Sequence, residues 1–284
     1  YDAGANITKL LKNGDFKDGF NGWENSLGTG TYYYESVDIV GCENWDGTGQ
    51  IYQTLEGLKD GMYFVTMAAA YRPSNDPMSY AYNAYIYLND NCVYMPSCYE
   101  TYMPVEEAVD GVNCNLSIAA ADVDQKVTDE NGETIGYAIH GTPSIAIAAA
   151  AGRSICHMIT NVTDGKLTVG VNDPGSKYGS DWTGWANIQL VYLGSMEDAD
   201  AQLSTVLEDQ IARANTLLNK YQFESGELYT KLPNFSQALR DQLTAEIAEA
   251  EAATTPEGKY AVVEKFSQTF KDIYTCKRNY VDTM

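Results

Sequence analysis

Basic residues are scarce. Eighteen Lys and Arg stand against 39 Asp and Glu in 284 residues, a formal net charge of −21. A face that binds nucleic acid or anionic lipid needs the opposite sign, so both partners are excluded. Histidine is scarcer still. His140 and His157 are the only two, and neither belongs to an HExxH pair. A three-histidine zinc site is therefore impossible within one chain. The six cysteines form no CxxC pair, which removes zinc-ribbon and thioredoxin-type readings. GxSxG, GxxxxGK[ST] and a strand-borne GxGxxG are all missing, so nucleophile-elbow, phosphate-loop and dinucleotide chemistry have no support. No apolar run approaches the roughly 20 residues that span a bilayer. The chain opens at Tyr1 with no visible leader, as a mature or trimmed exported chain would.

Tyrosine, by contrast, is abundant: 22 Tyr against 7 Phe. Tyr combines apolar area with a hydroxyl that can stay wet, which suits half-buried strands and binding surfaces. Acidic loops suit calcium, which takes oxygen ligands. Asn172, Asp173 and Asp181 in NDPGSKYGSD are its candidate ligands, with Asp15 in NGDF a further one. The loop holding Asp122, Asp124, Asp129 and Glu133 lacks EF-hand spacing. No cofactor is required; calcium is the ion that these acidic loops could hold.

Residues 1–194 read as strands and turns. Residues 10–24 predict an opening strand, a glycine-broken turn and Trp23; residues 180–194 predict a closing strand with Trp182 and Trp185. Between them, Ile51, Gln53 and Leu55, then Met62, Phe64, Thr66 and Ala68, alternate with period two around the turn EGLKDG. NAYIYLNDNCVYM predicts a hairpin about Asn89 and Asp90, and KLTVGV a late strand. A less regular insertion covers about residues 94–150. It holds a short helix expected to open at Pro104 and an apolar stretch, SIAIAAAAGRSICHM, that reads as a short helix or as a buried segment. Such an insertion is functional or lies as a lid over one sheet. Cys92, Cys98 and Cys114 sit close together in sequence, where one disulfide is plausible; Cys276 reads as a small buried residue on a helix. Adjacent strand residues point apart, so Cys156 and His157 do not converge.

After Gly194 the texture turns helical. Leu203, Leu207, Ile211, Ala214 and Leu217 mark one amphipathic helix; Leu239, Leu243, Ile247 and Ala250 a second; Tyr260, Val263, Phe266, Phe270 and Ile273 a third. The fold expected is mainly β plus α: a jelly-roll β-sandwich over 1–194 and a three-helix bundle over 195–284.

A sugar presents an apolar C–H face and polar edges. An indole or phenol ring can lie on that face while amide, guanidinium or carboxylate groups bond the hydroxyls. Trp45, Tyr71, Arg72, Asn83, Trp182 and Trp185 are the candidate glycan ligands, because strand ends and loops carry them.

The ordered set NGDF…GFNGW, YQTLEGLKDGMYFVTMAAAYRP, NAYIYL, GKLTVGV and DWTGWANIQLVYLG resembles the galactose-binding-like, carbohydrate-binding-module-type sandwiches of Bacteroidetes surface and secreted proteins. The resemblance covers most of residues 10–194. It implies a non-catalytic carbohydrate-binding or adhesion module of an exported bacterial protein, in the periplasm, at the cell surface or outside the cell. The implied partners are a polysaccharide or glycan, other domains of a larger surface protein, or copies of the chain itself. The alternative is a structural or adhesive subunit of a surface fibre. Relatives often place a calcium-ligating Glu after the Phe of NGDF, where this chain has Lys17, and Asp-Asn or Asp-Asp before the last strand, where it has Ala186-Asn187.

Overall fold

The computed structural model describes residues 1–27, 29–72, 84–96, 101–105, 126–174, 181–220 and 237–283. Its strands, in chain order, begin with β1 (Ala5–Asn6), β2 (Glu24–Asn25), β3 (Thr29–Tyr34), β4 (Ile39–Trp45), β5 (Gly49–Leu55) and β6 (Gly61–Arg72). There follow β7 (Tyr85–Leu88), β8 (Asn91–Tyr94), β9 (Tyr102–Pro104), β10 (Lys126–Thr128) and β11 (Thr134–Ala138). Helix α1 (Thr142–Ala150) precedes β12 (Ile155–Val162), β13 (Leu167–Asp173) and β14 (Trp182–Gly194). Helices α2 (Asp200–Lys220), α3 (Gln237–Ala252) and α4 (Pro256–Thr283) complete the chain.

Two antiparallel sheets face each other. One runs β12-β6-β14-β4-β3, with β1 on β14; the other runs β2-β5-β13-β7-β8. Alternate residues of each strand fill the space between them. Val65, Met67 and Trp185 from the first sheet meet Ile51, Ile86, Val169 and Val171 from the second. The turn EGLKDG does not close a hairpin, since β5 and β6 belong to different sheets. Local sequence fixes the period of each strand but not its partner. The hairpin β7–β8 does turn at Asn89-Asp90, with Asn89 left-handed at φ 51°.

Residues 10–24 hold no strand before Glu24. They form successive turns, with Asn13 and Phe16 left-handed at φ 52° and 56°. Such backbone cannot extend, so the expected opening strand is confined to β1, upstream of it. Trp23 packs on Phe16 at 4.9 Å and donates its indole N–H to the Asn13 carbonyl, which fastens these turns to the core.

The insertion caps the outer face of the β6/β14/β4 sheet. The apolar stretch forms α1, buried on nearly every side, and a small sheet β10-β11-β9 lies beside it. Small residues beneath make room: Ala68, Ala70 and Ala186. At Gly41 a Cβ would stand 2.1 Å from the Thr142 carbonyl oxygen. Pro104 closes strand β9 rather than opening a helix; residues 106–125 lie outside those described.

The three C-terminal helices pack on one another; α2 lies on β12 and α4 on β8 at the edge of the sandwich. Leu203, Val206, Leu207, Ala214 and Leu217 of α2 share one apolar cluster with Val263, Phe266 and Phe270 of α4 and with Met62, Cys92, Tyr94 and Ile159 of the sandwich. Thr255 caps α4 by accepting the Gly258 N–H at 3.1 Å, with Pro256 leading the helix. Cys92 belongs to no disulfide: its thiol meets the Ser267 carbonyl of α4, and burial raises its pKa to about 12. Cys98 and Cys114 lie outside the described residues, as does the side chain of Cys276. Among the described residues no helix is long and apolar enough to cross a membrane.

Candidate functional site

Register brings three of the expected glycan residues to one end of the first sheet. Trp182 of β14 stands opposite Trp45 of β4 and opposite Arg72 of β6. Alternation then sorts neighbours between the two faces. Trp45, Trp182 and Glu43 lie on the outer face, under the cap. Tyr71, Asn44, Thr183 and Trp185 lie on the inner face, between the sheets.

Trp45 is the exposed member, 47% accessible. It closes β4 just before Asp46, whose φ of 58° turns the chain away. Its indole lies against the His140 ring, 6.0 Å between centroids. His140 in turn meets the edge of Trp182 at 5.3 Å. Trp182 is fully buried and lies over Gly184, where a Cβ would come within 2.2 Å of the ring. Its Nε1–H donates to Glu43 Oε2 at 2.8 Å. The result is a platform: an open indole, backed by an imidazole, a buried indole and a carboxylate. The strands make it rigid and the cap supplies His140, which stands one residue before the Gly141 N-cap of α1.

Two expected ligands are corrected. Trp185, 1% exposed, packs in the inter-sheet core against Phe20. Tyr71 is buried in the same core. Neither ring can lie on a ligand from solvent. Trp182 lies behind His140 rather than at the surface. Arg72 is half-buried in register with Trp182, and Asn83 lies outside the described residues. Sequence reasoning missed His140 and Glu43. His140 is 95 residues from Trp45, and spacing carries no trace of their contact; Glu43 was visible only as part of the i, i+2 face of β4.

Of the calcium set, Asp173 and Asp181 are buried at this same end, on the inner face. Asp173 Oδ2 accepts from Asn44 Nδ2 at 2.9 Å and from Thr183 Oγ1. Burial, then the nearby Asp173 carboxylate, pushes the Asp181 carboxyl up to about 7. Asn172 is corrected: it alternates to the opposite face of β13 from Asp173, so the two cannot share an ion. Asp129 is engaged by its own turn, accepting the N–H groups of Asn131 and Glu133; Asp122 and Asp124 lie outside the described residues.

The calcium position implied near NGDF does not fit this chain. A cleft there is lined by Asp15, Asp38, Asn187 and Gln189. The Lys17 ammonium already pairs with Asp38 Oδ1 at 2.6 Å, and Tyr33 donates to the same oxygen at 2.8 Å. Lys17 and then Tyr33 hold the Asp38 carboxyl below its ordinary range. The Asn187 side chain, on the β14 bulge at φ 54°, accepts from Gln189. The Lys17 ammonium thus already neutralises the Asp38 carboxylate that lines this cleft.

No protein-family model matches the chain, and no curated protein matches it. Two of the solved structures that it resembles are carbohydrate-binding modules. TmCBM61 in complex with β-1,4-galactotriose aligns with 64% of this chain and 97% of its own, at 14% identity and a TM-score of 0.32. The C-terminal CBM6 of LamC, a marine laminarinase from Zobellia galactanivorans, aligns with 61% of this chain and 94% of its own, at 10% identity and a TM-score of 0.26. The strand order given above, rather than this likeness, defines the fold of the chain.

Proposed function

We propose that this chain is a non-catalytic carbohydrate-binding module whose contact surface is the open face of Trp45. One observation carries the reading: a large indole left exposed at the end of a rigid sheet and held from behind by His140 and Trp182. A sugar ring would lie on the indole through its C–H face, and Glu43 would accept from hydroxyls at its edge. Few groups are buried in such a contact, so affinity falls between roughly micromolar and millimolar. A secreted or cell-surface setting goes with this reading; the net charge of −21 supports it through solubility and self-repulsion. The test is a glycan array followed by titration calorimetry with plant and host polysaccharides. Binding by the native chain, weakened at least about tenfold in Trp45→Ala, is expected. No binding to any glycan overturns the reading.

A second reading has its own observation. Edge strand β3 exposes Tyr32 and Tyr33, 58% and 51% accessible, and an open edge can take up a strand from another subunit. Under this alternative the chain is a structural or adhesive subunit of a larger assembly. Light scattering discriminates: an ordered polymer favours assembly, and a monomer at high concentration removes it.

A further inference from the structure

Behind Trp45, between the sheets, the sandwich ends in a set of buried oxygen atoms with too few donors. Asn44, Asp173 and Thr183 are wholly buried and Asp181 is 1% exposed. Asn44 donates both Nδ2 hydrogens, to Asp173 Oδ2 and to the Gly47 carbonyl, each at 2.9 Å. Its own Oδ1 has no hydrogen-bond partner, and neither carboxylate oxygen of Asp181 has one. These three acceptors come from adjoining positions, since Thr183 is opposite Asn44 in the ladder and the Asp46 N–H bonds the Asp181 carbonyl at 3.1 Å.

An unpaired carboxylate out of water is strongly unfavourable unless something neutralises it. Hydrogen bonds do not do so here, and no ion pair among the described residues includes Asp181. Among the described residues, the charged side chains beside Asp181 are themselves carboxylates, Asp173 and Asp46. The donor set is all oxygen, carboxylate plus amide carbonyl, which suits a hard divalent cation and not a soft one.

We infer that Asp181 and Asn44 Oδ1 bind a calcium ion, which ties the end of β4 to the start of β14 directly behind the Trp45 platform. Asp173 is the positioning residue, because its bond to Nδ2 turns Oδ1 of Asn44 away from itself. Among the described residues no three His, Cys, Asp or Glu side chains converge at metal-binding distance, so water and backbone carbonyls complete the shell, with Asp46 adding charge from the open side. This site shares only Asp181 and Asp173 with the loop set suggested by sequence, and it is separate from the Lys17–Asp38 cleft.

The test uses the whole chain after metal removal by EDTA. Calcium chloride is added in 0.15 M salt, and thermal unfolding and titration calorimetry are followed, with no glycan present. A failure here is thus distinct from a failure of the glycan reading. A saturable 1:1 isotherm and a rise in Tm of roughly 5 °C are expected. Asp181→Asn is expected to abolish both, while Asp38→Asn keeps them. No calcium response, or an equal response in native protein and Asp181→Asn, overturns the proposal, the latter because it would report diffuse binding to an acidic surface. Should Asp181→Asn not fold, the native isotherm decides: one saturable site supports the proposal, and none overturns it.

Discussion

The Nδ1 atom of His157 on β12 hydrogen-bonds the carboxylate of Asp209 on α2, across the seam between sandwich and bundle. The imidazole is stacked on Phe64 at 5.9 Å, so the ring has little freedom to find another acceptor. Cys156, the next residue, faces the sandwich core instead, as strand alternation requires. Asp209→Asn replaces a charged acceptor at a half-buried position. A loss of about 1 kcal/mol is expected, read as a fall in urea midpoint with unchanged slope.

The same seam predicts how the chain unfolds. Met62, Cys92, Tyr94 and Ile159 belong to strands but pack among the side chains of α2 and α4. Tyr94 donates its hydroxyl to the Phe270 carbonyl, and the Asn161 N–H donates to Tyr260 at 3.1 Å. The bundle therefore supplies part of the sandwich's own core. Calorimetry of the full chain is expected to show one transition. A truncation after Gly194 exposes the Met62 cluster, and it is expected to bind a hydrophobic dye and to melt well below the full chain. Two separate transitions would contradict this coupling.

Much of this was legible in the sequence, for physical reasons that can be named. The alternation at Met62, Phe64 and Thr66 and the three- and four-residue spacing of Leu203, Leu207 and Ala214 are local consequences of strand and helix geometry. Pairing is not local. Nothing in residues 49–72 says that β5 and β6 join different sheets, and nothing near Trp45 says that His140 returns to it from the insertion. Trp182 and Trp185 illustrate the limit further. Three residues apart on one strand, they point to opposite faces, one toward the site and one into the core, and both are buried. Composition alone ranked them equally. Asn44, buried and bonded to Asp173, had no sequence signal beyond its place beside Trp45.

The cap makes a sharper prediction because it depends on one missing methyl group. α1 crosses β4 where a Cβ on Gly41 would overlap the Thr142 carbonyl oxygen. Gly41→Ala forces α1 outward and is expected to cost about 1–3 kcal/mol, as overpacking does. His140 stands two residues before Thr142, so the shift also withdraws the ring behind Trp45. Tryptophan fluorescence should change in the folded variant, and glycan affinity should fall although no contact residue is altered.

The bundle carries a buried carboxylate whose charge works against folding. Glu246 of α3 faces inward. Its Oε1 accepts from Thr269 at 2.7 Å and from Gln242 at 3.1 Å, while Oε2 has no partner. Burial raises its pKa above the ordinary 4.5, against the lowering effect of those two bonds. The folded state thus holds this proton more tightly than the unfolded chain does. Stability from this group is complete below the unfolded value, falls as pH rises from there through the folded value, and stays reduced above it. Glu246→Gln removes the ionisation and keeps an acceptor for Thr269. At pH 7 the variant is expected to be more stable than the native chain by about 1 kcal/mol, because a neutral amide is cheaper to bury than an ionised carboxylate. The difference should shrink toward zero as the pH is lowered to 4. Paired thermal melts across pH 4–8 measure it, and taking the difference cancels every other titrating group. A gap that widened toward acid would mean that the ionised carboxylate is the form that the bundle prefers.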